Sequence, residues 1–206
     1  MAKKIMILWS GGIDSTATLK MYLEKTDFEI VALKIMYYTK DETVNARINK
    51  EKKAIRKILP KLLEIRAFKY TELVVQMPNG VKGTDVPIFG SLAIYPAYSF
   101  GCKEIIIGWV KDIRHGQSKY VAKKHELLNK ISSLYFEGSK GMWNWFPIFV
   151  LSDFYGDKKV YIDYLGEMVL ETWFCRFPKR AGKRNGCGVC VACRHIKKIL
   201  PETILI

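Results

Sequence analysis

The sequence predicts an α/β protein with a doubly wound, mostly parallel sheet, followed by a small cysteine-rich tail. Continuous apolar stretches over 4–9 and 28–38 are typical of strands that are buried on both faces of a sheet. A helix-like segment over 16–25 separates them, and a strand–helix–strand unit of this length implies a right-handed parallel crossover. We therefore expect one α/β domain over 1–173, with a cysteine-rich segment over 174–206 packed on it.

The middle of the chain predicts more elements of both kinds. Apolar residues at helical spacing indicate a long helix, which Pro60 should break or kink, and whose charged residues 50–53 are expected on a solvated face. Pro96 should disturb a second, buried helix. The predicted segments are helix 43–67, strand 70–76, helix 88–100, strand 102–109, a turn or strand over 148–151, and helix 161–172.

Composition limits the class of protein. Hydrophobic residues make up 49% of the 206 residues and charged residues 26%, so we expect a packed globular core. No apolar run approaches the roughly 18 residues of a membrane span, and the N-terminus does not resemble a signal peptide, so a cytoplasmic protein is expected. The net charge of +14 favours nucleotides, pyrophosphate or nucleic acid as ligands without choosing among them.

A glycine turn between the first strand and the first helix has the composition of a phosphate-binding loop. Gly11 and Gly12 allow a sharp turn, and the free N–H groups of the following helical turn favour an anion. Ser10 and Ser15 add hydroxyl groups, whereas the Asp14 carboxylate would be repelled by phosphate. Asp14 therefore indicates either a bridging Mg²⁺ or a helix N-cap. We call this stretch the phosphate loop; it reads Ser10-Gly11-Gly12-Ile13-Asp14-Ser15.

Four cysteines near the C-terminus have the spacing of a metal site. Cys187, Cys190 and Cys193 form a C-x2-C-x2-C pattern, and Cys175 precedes them. Four thiolates suffice for a tetrahedral Zn²⁺ of the structural kind, since no coordination position stays open. An iron–sulfur cluster is the alternative, because spacing alone does not name the metal. The remaining cysteine, Cys102, is expected to be a small core residue.

The phosphate loop resembles the SGGxDS signature of the PP-loop ATP pyrophosphatases, which have an adenine nucleotide alpha hydrolase-like fold. Members of this family cleave ATP between the α- and β-phosphates and adenylate a substrate, so the resemblance implies ATP and Mg²⁺ as cofactors. The end of the second strand lies against the adenine in that family. By this resemblance, backbone groups of Leu33, Lys34 and Met36 are expected to contact the base.

The phosphate loop and the cysteines together resemble the 7-cyano-7-deazaguanine synthases of queuosine biosynthesis, which also show CGxCxxC followed by a nearby arginine. This resemblance implies an AMP-forming ligase that converts a carboxylate on a deazapurine to an amide and then a nitrile, using ammonia. Asp14 and Ser15 are candidate catalytic residues, with Lys158 or Lys159 neutralising charge as pyrophosphate leaves. Asp112 and Arg114 are candidate substrate contacts.

Two segments depart from the family pattern. Val86-Pro87 continues as Ile88-Phe89-Gly90 rather than Gly-Arg-Asn, and Asp112 is followed by Ile113-Arg114-His115-Gly116 rather than a tyrosine- and proline-rich segment. Both are substrate-side regions in that family, so a different acceptor, such as a tRNA base, stays open. A non-catalytic, basic zinc protein that binds nucleic acid is a further alternative. Exposed aromatic residues over 143–146 favour a homodimer.

Overall fold

Five parallel strands form the centre of the structure, a computed structural model that describes residues 2–77, 85–109, 117–154, 157–178 and 186–200. Every pairing between neighbouring strands is parallel, and their order across the sheet is β3-β2-β1-β4-β5. The predicted parallel α/β sheet is therefore confirmed. The strands are β1 (Lys4–Leu8), β2 (Glu29–Tyr38), β3 (Lys69–Gln76), β4 (Glu104–Ile107) and β5 (Ile148–Leu151).

Helices cover both faces of this sheet. Along β1, Ile5 and Ile7 lie in one apolar cluster with α1 and α2, while Met6 lies in another with α3 and α4. This alternation follows from the two-residue period of a strand. The helices are α1 (Ile13–Lys25), α2 (Glu42–Ile65), α3 (Asp85–Ser99), α4 (Gln117–Gly138), α5 (Lys158–Leu165) and α6 (Val191–Lys197).

Of the two outcomes predicted at Pro60, a break or a kink, the break is wrong, because α2 continues through that residue. An interior proline costs a helix about 3 kcal/mol. Ile58 and Leu62 flank Pro60 and are completely buried, and burial of such side chains contributes about 1.5–3 kcal/mol each. Pro60 itself is exposed, so its ring meets solvent rather than the sheet. The helix α3 likewise contains Pro96 in its interior.

The C-terminal part of the described chain is more irregular than expected. The helix predicted over 161–172 is divided into α5 and a 3-10 helix over Gly166–Glu171. The Asp157 side chain begins α5 by accepting a hydrogen bond from the Val160 backbone N–H at 3.0 Å. Gly166, with a φ of 56°, follows its last residue. Among the described residues, no helix is both long and apolar enough to cross a bilayer.

Candidate functional site: a cavity beside a four-cysteine cluster

A cavity of about 410 Å³ opens at the carboxyl ends of β1, β2 and β4. The phosphate loop, α2, Phe89 of α3 and the segment Trp173–Arg176 complete its walls. The chain runs outward from β1 to β3 and then returns to β4, so the order of the strands reverses beside β1. Ligands of open α/β sheets bind at this kind of reversal, outside the carboxyl ends of the strands.

The phosphate loop enters α1 without a side-chain cap. Gly12 is the N-cap and α1 begins at Ile13, so the N-cap alternative for Asp14 is wrong: its carboxylate belongs to the first helical turn. Two serines brace the turn, since the Ser10 N–H donates to Ser15 Oγ at 3.1 Å and the two hydroxyl oxygens lie 3.0 Å apart. A first turn with no side-chain cap suits an anion.

Two glycines are needed where the backbone passes closely by other elements. Gly11 has a φ of 76°, and a Cβ there would lie 2.9 Å from the Glu51 carbonyl oxygen of α2. At Gly108, which follows β4, a Cβ would lie 2.9 Å from the backbone of Asp14 and Ser15. Helix α2 and β4 therefore hold the loop from two sides, with no room for a side chain at either position.

A lysine from the distant end of the chain contacts the loop carboxylate. Lys158, the first residue of α5, forms an ion pair with Asp14 through Nζ and Oδ1. The side chains are 15% and 28% exposed, so both are partly shielded from solvent yet remain open to a ligand. Lys159 is exposed. Of the two predicted lysines, only Lys158 is thus brought to the phosphate loop.

The other predicted contacts have different positions. Leu33 and Lys34 line the cavity, whereas Met36 is buried and lies outside its lining. Ile13 is buried in a cluster with α5. Asp112 and Arg114 lie outside the described residues.

Sequence reasoning missed an ion network in the cavity wall. Glu51 belongs to the charged run expected on a solvated face, but its side chain is only 13% exposed and pairs with Lys34 and Arg47. The signal was available: Arg47 and Glu51 are four residues apart, which is the spacing of an ion pair on one face of a helix.

The four predicted cysteines come together in one cluster. Their Sγ atoms all lie within 4.8 Å of one another, and those of Cys187 and Cys193 are 3.9 Å apart. Zinc–sulfur bonds of about 2.3 Å in a tetrahedron place neighbouring sulfurs about 3.8 Å apart. The donor set and its spacing thus fit a tetrahedral metal ion, which would need only a small contraction of the cluster.

The protein environment shifts the pKa values of three cluster cysteines in different directions. Burial raises the pKa of Cys175 and of Cys193. At Cys187 burial acts in the same direction, but hydrogen bonds from the N–H groups of Val189 and Cys190 and from the thiols of Cys175 and Cys190 together lower the pKa to about 7. A bound cation is what stabilises four neighbouring thiolates, since each ligand must lose its proton.

The cysteine cluster and the phosphate loop are neighbours. The Trp173 N–H donates to the Gly11 carbonyl at 2.9 Å, and Cys175, two residues later, lines the cavity. The Cys175 sulfur accepts hydrogen bonds from the N–H groups of Phe177 and Cys187, each at 3.3 Å. One short segment is therefore shared by the cavity wall and the candidate metal centre.

Cys102 lies apart from this cluster. It is completely buried just before β4, and burial raises its pKa to about 11. A thiol with that pKa is protonated at neutral pH and is a poor nucleophile. This observation weighs against a sulfur-transferring role for the one cysteine outside the cluster.

Comparison with known proteins agrees with the two motifs. A family model for "Queuosine biosynthesis protein QueC" matches residues 4–203. Proteins named 7-cyano-7-deazaguanine synthase from Rickettsia rickettsii (strains Sheila Smith and Iowa) and Rickettsia africae (strain ESF-5) are each 32% identical over 129 residues. The match covers 52% of this chain and 55% of each relative, so it spans about half the length of these curated relatives. The match over 4–203 takes in both motifs and all five strands of the sheet, and the chain belongs to the queuosine biosynthesis protein QueC family.

Proposed function

We propose that this chain is an ATP-dependent, AMP-forming ligase of the 7-cyano-7-deazaguanine synthase type. The observation that carries the proposal is the cavity at the carboxyl edge of the sheet, with the phosphate loop on one side and Trp173–Arg176 on the other. Among the described residues that line it, the cations are Lys34, Arg47 and Arg176, against one carboxylate from Glu51, so this part of the wall is positively charged and suits a nucleotide.

The proposed reaction has two ATP-dependent stages. A carboxylate oxygen of 7-carboxy-7-deazaguanine attacks the α-phosphorus of ATP, and the bond to pyrophosphate breaks. Ammonia attacks the resulting acyl-adenylate carbon, AMP leaves, and a proton is released to give the amide. The amide oxygen attacks a second ATP in the same way and displaces pyrophosphate, and loss of AMP and of both amide protons gives the nitrile. Positioning and charge neutralisation provide the catalysis, and no cysteine nucleophile is required.

The residues of the phosphate loop bind and orient the triphosphate in this proposal. The serine hydroxyls of Ser10 and Ser15 and the first-turn N–H groups of α1 face the phosphates. Asp14 is the carboxylate that would hold Mg²⁺. The bound ion would offset the negative charge of the phosphates. Lys158 neutralises the charge that develops on pyrophosphate, while Leu33, Lys34 and Met36 remain the candidate backbone contacts of the adenine.

We assign zinc, in a structural role, to the four-cysteine cluster. Cys175, Cys187, Cys190 and Cys193 would provide all four ligands, so no position stays open for catalysis. The ion would hold 174–206, the segment proposed as a zinc-binding extension of the α/β domain. The packing of this extension on the α/β domain is supported by the apolar cluster that Cys175, Cys190 and Cys193 share with Trp9 and Ile55.

The activity is tested by incubating the protein with ATP, Mg²⁺, ammonia and 7-carboxy-7-deazaguanine, and by measuring AMP, pyrophosphate and the nitrile product. Formation of all three is expected, with none above background from an Asp14→Asn variant. AMP formed only with a different acceptor would keep the enzyme class and overturn the substrate. Absence of AMP with any carboxylate, together with absence of ATP binding, would overturn both.

Lys158→Met is expected to lower kcat for AMP formation by about 100-fold or more, since removal of one preorganised charge from a site of this kind costs about that much. The matched variant Lys159→Met changes the same side chain at an exposed position and is expected to stay within about twofold of the wild type. Initial rates at saturating ATP provide the measurement. Equal losses in the two variants would contradict the assignment to Lys158.

One observation favours a different acceptor as a second candidate. Phe89 lines the cavity and packs on Tyr37, with ring centroids 5.1 Å apart. It follows the Val86-Pro87 pair, at a place where the related synthases have a polar segment. Two aromatic rings suit a planar heterocycle but supply few hydrogen-bond donors to distinguish one from another. The same assay, run with other heteroaromatic carboxylates, distinguishes the candidates by which substrate yields AMP.

We further propose a homodimer through the exposed end of α4. Leu134, Tyr135 and Met142 are 63%, 45% and 81% exposed and form an apolar surface next to the aromatic stretch 143–146. Surfaces of this kind often form protein interfaces. Light scattering is expected to give twice the chain mass, falling to one chain mass in Met142→Lys. A monomeric wild type, or a variant that remains dimeric, would contradict this interface.

A further inference from the structure

A buried ion network lies in the cavity wall behind the phosphate loop. Lys34, in the middle of β2, is only 3% exposed, and its Nζ forms an ion pair with Glu51 Oε2 of α2. The other carboxylate oxygen of Glu51 is 3.2 Å from Nε of Arg47, one helical turn earlier. Each oxygen of Glu51 thus holds one cation, and all three side chains line the cavity.

Stability alone does not account for these charges. Lysine is almost never fully buried, and the loss of hydration costs several kcal/mol for each buried ion. An ion pair in such a place is often matched or exceeded in stability by apolar side chains of similar volume. The flanking residues Leu33 and Ile35 are apolar and buried, as expected for a central strand, so Lys34 departs from the pattern of its own strand.

Both partners of the Lys34–Glu51 pair touch the phosphate loop. Lys34 Nζ lies 3.5 Å from the Ser10 carbonyl oxygen. The backbone carbonyl of Glu51 is the group that leaves no room for a Cβ at Gly11. The pair therefore connects β2 and α2 at the point where consecutive residues of the loop rest on them.

We propose that Lys34 and Glu51 are positioning residues that hold the phosphate loop in the conformation that receives the triphosphate. Lys34 fixes the Ser10 carbonyl, and its ion pair fixes the part of α2 against which Gly11 packs. A preformed loop needs no ordering when the nucleotide binds, and this raises affinity. The inference rests on the proposed use of ATP, but not on the identity of the acceptor.

The test measures the dissociation constant for Mg·ATP by calorimetry, together with the thermal midpoint of unfolding, in four variants. Lys34→Met is expected to weaken ATP binding by about tenfold or more. The double variant Lys34→Met/Glu51→Met removes both charges of the deeply buried pair together. The Arg47 guanidinium that loses its Glu51 partner is 25% exposed and keeps its 3.2 Å hydrogen bond to the Tyr37 hydroxyl oxygen. It is expected to fold with a midpoint near that of the wild type and still to bind ATP about tenfold more weakly. Lys34→Arg keeps the charge and is expected to recover part of the loss.

Lys52→Met is the matched control. It breaks the adjacent ion pair between α2 and β3, in which Lys52 Nζ is 3.2 Å from Glu72 Oε2, outside the cavity wall. Its ATP affinity is expected to equal that of the wild type. A stable double variant with unchanged ATP affinity, or an equal loss in Lys52→Met, would overturn the positioning role. A wild type that binds ATP but forms no AMP would overturn the proposed function alone, because ATP binding by the variants still tests this inference.

Discussion

Gly11→Ala is expected to weaken ATP binding by about 20-fold or more and to lower the free energy of unfolding by about 1–3 kcal/mol, the usual cost of a strained backbone. The φ of 76° disfavours any side chain at this position. An added Cβ would also lie 2.8 Å from Ile55 Cγ1 and 2.9 Å from the Glu51 carbonyl oxygen. The side chain of Ile55 can rotate, but the carbonyl moves only with α2, so the loop must shift away from the helix.

Gly101→Ala separates the loss of ATP affinity from the loss of stability. Gly101 has nearly the same backbone angle, with a φ of 73°, yet nothing lies within 4 Å of where its Cβ would be. This variant is expected to show a similar loss of unfolding free energy in urea and an unchanged ATP dissociation constant. An equal loss of ATP affinity in both variants would mean that general destabilisation, rather than the contact of Gly11 with α2, is responsible.

Cys193→Ser is expected to lower the metal content from about one ion per chain to a small fraction of that, because a four-thiolate site loses one of its ligands. The Cys193 side chain is 99% buried beside the other three sulfurs, so the remaining ligands have no ready replacement. Structural zinc contributes several kcal/mol or more, so we expect the thermal midpoint to fall by roughly 10 °C. Elemental analysis and thermal unfolding are the measurements.

Cys102→Ala controls for the loss of a buried thiol. Cys102 is as deeply buried as Cys193, but it lies outside the cluster. The control is expected to keep its full metal content and its rate of AMP formation, with at most a modest loss of stability. Full metal content in Cys193→Ser would contradict the four-cysteine site, and an inactive Cys102→Ala would favour chemistry that uses this thiol.

The sheet could be predicted because its signals are local. Buried parallel strands read as continuous apolar runs, and those of β1 and β2 allowed little ambiguity. The break predicted at Pro60 is wrong because it took account of the hydrogen bond that a proline loses, but not of the burial of Ile58 and Leu62 on either side. That burial depends on the sheet beneath the helix, which is tertiary information that the local pattern does not contain.

Some residues of the candidate site could likewise be predicted from the sequence, and others could not. Ser10–Ser15 are contiguous, and Cys187, Cys190 and Cys193 recur every third residue with Cys175 shortly before them, so both motifs could be found in the sequence. The pair of Glu51 with Arg47 could be found from its four-residue spacing, but the contact of Glu51 with Lys34 could not. A charged run on a helix looks the same whether one of its members faces solvent or a buried lysine. Lys158 was distinguished from Lys159 only by the packing of α5 on α1, which turns one of two adjacent lysines toward Asp14.

The hydrogen bond between Trp173 and Gly11 has a consequence for the order in which this protein is made. A ribosome adds about 5–20 residues per second, so the phosphate loop emerges on the order of ten to thirty seconds before the segment that completes its cavity. During that interval the growing chain has the glycine turn but lacks the opposite wall. A ligand that needs both walls of this cavity can therefore stabilise the fold only after Trp173 has been synthesised.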